Sequence, residues 1–79
     1  MHKRYAIVLE KAPNNWGAYA PDVPGCIATG PTREVTLTRM HDALQAHIAW
    51  MARDGDPIPE PETAVDYVEV EVPAPVAAG

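Results

Sequence analysis

The sequence predicts a small α+β domain of order β-β-β-α-β: an antiparallel three-stranded meander, one helix packed on one face, and a fourth strand. Three observations carry this. Short apolar runs between residues 4 and 30 are separated by turn residues. A single apolar stripe at helical spacing follows between residues 33 and 53. Then Asp66 to Val72 alternates strictly between apolar and polar.

The first strand is expected over Arg4 to Lys11, where Tyr5, Ile7 and Val8 are β-formers and the run is almost wholly apolar. Such a run predicts a central strand covered on both faces. Ala12-Pro13-Asn14-Asn15 is a turn cluster whose Asn pair tolerates left-handed backbone, so a hairpin follows. Trp16 to Ala20 forms the second strand, with Trp16, Ala18 and Ala20 on one face and Tyr19 on the other. Pro21-Asp22-Val23-Pro24-Gly25-Cys26 interrupts it. Pro24 and Gly25 suit the central positions of a type II turn, Pro fixing φ and Gly supplying a positive φ. Cys26 to Gly30 is the third strand.

Thr32 is the expected N-cap of a helix running to about Arg53, with Glu34 meeting the positive end of the helix dipole. Leu37, Met40, Leu44, Ile48 and Met51 form its buried stripe. Gly55 suits the C′ position, and Pro57 prevents continuation. Pro57, Pro59 and Pro61 make residues 55–63 an extended connector. In the last strand Val68, Val70 and Val72 oppose Tyr67, Glu69 and Glu71, which gives one buried and one acidic face. If that strand returns to pair with the first, the sheet order is 3-2-1-4, and the right-handed crossover rule then fixes the face that the helix covers.

A chain of 79 residues holds one domain, expected over residues 1–72 with a flexible tail at 73–79. So small a core is marginal, and short chains supplement it with disulfides, a metal or self-association. Cys26 is the single cysteine, and His41 and His47 lie six apart, outside metal-ligand spacing on a helix. No metal or cofactor is expected, and self-association remains as the stabiliser. No apolar run approaches a membrane span, and the basic Met1-His2-Lys3-Arg4 is followed by too short an apolar stretch for a signal peptide. A cytoplasmic protein is expected. Residues 54–79 carry seven acidic groups and no Lys or Arg, whereas residues 1–53 hold all six basic groups against four acidic ones. The acidic last third repels nucleic-acid phosphates and suits a basic partner.

Tyr5-Ala6-Ile7-Val8-Leu9-Glu10, Trp16-Gly17-Ala18-Tyr19, Pro21-Asp22-Val23-Pro24-Gly25-Cys26, Ala28-Thr29-Gly30 and Asp54-Gly55-Asp56-Pro57-Ile58-Pro59-Glu60-Pro61 occur in this order around an amphipathic helix. In that combination, over about residues 4–72, the chain resembles the HicB-like antitoxin family. The resemblance implies a degenerate ribonuclease-H-like fold that binds and blocks a HicA-like toxin, a small basic ribonuclease. It also implies a dimer or tetramer. Many family members carry a further C-terminal DNA-binding domain; this sequence has no room for one before Gly79, so no direct DNA binding is expected.

The partner-binding residues expected are Asp66, Tyr67, Glu69 and Glu71 of the last strand, with Trp50 of the helix as an aromatic anchor. Asp22, Pro24 and Gly25 are expected to be structural, with Asp22 accepting N–H groups of its own turn. Cys26 reads as a small core side chain. Glu10 is the single carboxylate of the first strand, with no inferable partner for two-metal nuclease chemistry, so a non-catalytic protein is expected. The alternative to an antitoxin is a stand-alone homo-oligomer with a regulatory or small-ligand role.

Overall fold

The computed structural model describes residues 1–75. Its elements are β1 (Val8–Lys11), β2 (Trp16–Tyr19), β3 (Ile27–Gly30) and α1 (Arg33–Arg53). The strands form an antiparallel sheet of order β1-β2-β3. Register places Val8 opposite Tyr19 and Lys11 opposite Trp16, then Trp16 opposite Gly30 and Tyr19 opposite Ile27. The helix packs across the sheet, so the α+β class and the meander followed by one helix stand as the sequence predicts.

Local chemistry sets the boundaries. The β1–β2 loop closes with the Ala12 N–H donating to the Asn15 carbonyl at 2.8 Å, and neither Asn takes a positive φ, so the left-handed tolerance read into that pair is not used. Two consecutive turns link β2 to β3. The Val23 N–H donates to the Ala20 carbonyl (3.1 Å) and the Cys26 N–H to the Val23 carbonyl (3.3 Å). In the second turn Pro24 and Gly25 occupy the centre, with Gly25 at φ +84°, the type II geometry. Thr32 caps α1, its hydroxyl accepting from the Val35 N–H at 3.1 Å. At the other end the Gly55 N–H reaches the Ala52 carbonyl and the Asp56 N–H the Met51 carbonyl, with Gly55 at φ +73°. This is a Schellman cap.

The core is Ala18, Ala20, Val23, Cys26 and Met40, with Met40 wholly buried. Thr36 is equally buried, its hydroxyl donating to the Thr32 carbonyl at 2.7 Å. A Cβ built on Gly30 would sit 2.6 Å from the Thr36 Oγ1, so no side chain fits between the end of β3 and α1 at this position. The Arg39 guanidinium donates to the Thr29 carbonyl and ties the helix to β3.

Three expectations are corrected. Asp66 to Val72 forms no strand within the chain: Val68, Val70 and Val72 are 85, 69 and 79% exposed. Without that neighbour β1 is an edge strand rather than a central one, and only Val8–Lys11 of the expected Arg4–Lys11 is laddered. The reason is that β2 ends at Tyr19, opposite Val8, and turns away at Pro21, so residues 4–7 have no strand to pair with. The helical stripe holds at Met40, Leu44 and Ile48, which are buried or pack against the core, and departs only at its first residue. Thr36 and Met40 face the core, whereas Leu37 is 41% exposed. Of the tail expected at 73–79, residues 76–79 lie outside those described.

Candidate functional site

The connector after α1 returns across one end of the sheet and is fastened at three points. The Tyr5 hydroxyl donates to the Pro59 carbonyl at 2.6 Å. The Lys3 ammonium binds both Glu60 carboxylate oxygens, at 2.9 and 3.0 Å. Asp22 then takes the chain at its far side: Oδ2 accepts the N–H groups of Glu62 (3.1 Å) and Thr63 (2.9 Å), and Oδ1 accepts the Thr63 hydroxyl (2.8 Å). These bonds stabilise the ionised carboxylate, those from Thr63 most, and hold the Asp22 pKa below its ordinary value. Asp22 therefore clamps a segment forty residues away instead of capping its own turn, whose backbone groups pair with one another. Pro24 and Gly25 do serve the turn that presents it.

Beyond Thr63 the chain leaves the body as an exposed arm. The longest dimension of the molecule is 64 Å, about twice the ~32 Å length of a 21-residue helix. Tyr67 is 89% exposed, and Glu69 and Glu71 are exposed beside it. Asp66 shares sequence parity with the valines rather than with this acidic set, and its carboxylate accepts the Tyr67 N–H at 2.7 Å. Trp50 is also exposed, at 65%. It lies eleven positions after Arg39, just over three full turns, so the two share the flank of α1 that faces β3. The structure thus gathers Tyr67, Glu69 and Glu71 on one arm and sets Trp50 on the helix body.

A second feature escaped the sequence reading. Between residues 1–7 and α1 lies an open groove of about 610 Å³, lined by Tyr5, Ile7, Leu37, Leu44, Ile48 and Ile58 among others. Its signal was the length of the apolar Tyr5–Leu9 run, which outreaches the strand available to pair with it. Cys26 is buried, and burial pushes its thiol pKa up, which leaves a poor nucleophile. Among the described residues no helix is long and apolar enough to cross a membrane.

Residues 5–73 match the family described as HicB_like antitoxin of bacterial toxin-antitoxin system. The chain belongs to the HicB-like antitoxin family. A curated relative, Antitoxin HicB 2 of Photorhabdus laumondii, is 36% identical over 75 residues, covering 95% of this chain and 53% of the relative. An uncharacterised 14.9 kDa protein of Haemophilus phage HP1, from its rep-hol intergenic region, is 30% identical over 64 residues, covering 81% of this chain and 48% of that protein. The chain thus spans about half the length of the curated relatives it matches. The family match runs through the meander, the helix, the clamped connector and the arm to Pro73.

Proposed function

We propose that this HicB-like chain is the antitoxin of a toxin-antitoxin pair, and that it masks a small basic HicA-type ribonuclease in the cytoplasm without itself catalysing a reaction. The observation that carries this reading is the arm. It is exposed, it bears Tyr67, Glu69 and Glu71 as successive alternate residues, and it belongs to the last third of the chain, which has seven acidic groups and no Lys or Arg. Family membership supports the antitoxin role, and the name of the Photorhabdus relative agrees with it. Tyr67 supplies apolar area with a polar tip, and the carboxylates steer a cationic protein toward it. Asp66 orders the start of the arm, and Trp50 offers a second anchor on the helix body. Self-association into a dimer or tetramer belongs to the same proposal, because the core is small for 79 residues.

The test needs a small basic HicA-type protein, sought first in the reading frame beside this one. Its association rate with the antitoxin should fall at least about tenfold between ~0.05 and ~0.5 M salt. The double variant Glu69→Lys, Glu71→Lys should fall similarly at low salt and release the toxin's ribonuclease activity. Binding that is indifferent both to salt and to this charge reversal would remove the arm from the interface.

A further inference from the structure

We infer that Asp66 to Val72 is a strand exchanged between two copies of this chain, completing the sheet of the second copy along its β1 edge. The inference rests on the self-association proposed above but needs no toxin.

The chain carries both halves of one interaction and satisfies neither by itself. One half is the arm, whose Val68, Val70 and Val72 would share a face in a strand yet stand 85, 69 and 79% exposed. The other is the β1 side of the sheet. There β1 is an open edge, residues 4–7 extend it beyond the reach of β2, and the apolar groove lies between them and α1. A strand laid along this edge would hydrogen-bond the free backbone groups and set alternate side chains over Ile7, Leu37, Leu44 and Ile48. The valine period matches that demand, while Tyr67, Glu69 and Glu71 would face away from the groove.

The path of the chain favours another copy's edge over its own. The connector passes Lys3 and Tyr5 first and reaches Asp22 at the β2–β3 turn last, so it has already crossed the sheet end away from β1 when the arm begins. Only Ala64 and Val65 separate Thr63 from Asp66, with neither Gly nor Pro to reverse the chain. The surface area supports an intermolecular partner. The chain exposes 6599 Å², whereas a compact monomer of 8.5 kDa exposes about 4,700 Å². Its radius of gyration is 17.1 Å against an expected ~12 Å. The excess of roughly 1,900 Å² per copy, about 3,800 Å² for a pair, lies in the range that obligate homodimers bury. Reciprocal exchange of an identical element closes as a two-fold pair.

The experiment measures mass by light scattering and amide hydrogen exchange at residues 67–71 on the full chain alone. The expected result is a dimer or dimer-based assembly with those amides protected, the protection falling on dilution into monomer. The Val68→Asp, Val70→Asp variant should weaken association at least about a hundredfold and leave helical circular dichroism unchanged, because both side chains are exposed in the single copy. Amides protected independently of concentration would mean an intramolecular strand and overturn the inference. So would protection that arises only when a basic partner protein is added. An assembly of unchanged strength in the variant would overturn exchange while leaving self-association intact, and a monomeric wild-type chain would overturn both.

Discussion

Asp22 and Thr63, forty-one positions apart, are joined twice: the carboxylate accepts both the Thr63 N–H, at 2.9 Å, and its hydroxyl, at 2.8 Å. The Glu62 N–H adds a third bond to the same side chain. The Pro21–Cys26 turn is thus a bracket for the chain leaving the helix as well as a reversal between strands. Replacing Asp22 with Ala leaves two N–H groups without their acceptor. Asp22→Ala should lower the melting temperature and speed hydrogen exchange at the Glu62 and Thr63 amides by at least about tenfold. Exchange of the core of α1 should change less. Equal acceleration throughout would show that the clamp opens only with global unfolding.

The clamp also predicts a pH response. The folded pKa of Asp22 lies below its unfolded value because Thr63 and Glu62 bond the charged form. Its contribution is therefore complete above the unfolded value, about 3.9, and is lost as pH falls through the lower folded value. Following the Thr63 amide by NMR from pH ~5 downward should show release below the ordinary aspartate range. The same titration of Asp22→Asn should show no such step.

Gly30 and Thr36 leave no room for a side chain between the end of β3 and α1. A methyl group on Gly30 would lie 2.6 Å from the Thr36 hydroxyl and 3.0 Å from its backbone nitrogen. The backbone atom cannot swing aside as a side chain can. Gly30→Ala should destabilise the fold by about 1–3 kcal/mol in urea unfolding. Gly30→Ala with Thr36→Ala should recover only part of this, since the backbone contact remains.

Tyr5 and Pro59 make the second fastening of the connector, with a hydroxyl-to-carbonyl distance of 2.6 Å in a half-buried setting. Tyr5→Phe keeps the ring over the groove and removes the donor. It should cost about 1 kcal/mol in equilibrium unfolding, the usual worth of such a bond. A loss within experimental error would mean that water replaces the hydroxyl.

The local features were determined by the sequence alone. Pro24-Gly25, Thr32 and Gly55 act on backbone groups within a few positions of themselves, so the type II turn and both ends of α1 were readable without tertiary information. The meander followed for the same reason, since short connections pair neighbouring strands. What only the tertiary structure decided lies in contacts between distant positions. The valine alternation in Asp66–Val72 states that a strand needs a neighbour but cannot state whose. That answer depends on Asp22 holding Thr63 at the far side of the sheet, away from β1. The division of the helical stripe is likewise a matter of distant contacts: Met40 packs among Ala18, Ala20, Val23 and Cys26 of the sheet and its turn, whereas Leu37 lines the groove between α1 and residues 1–7.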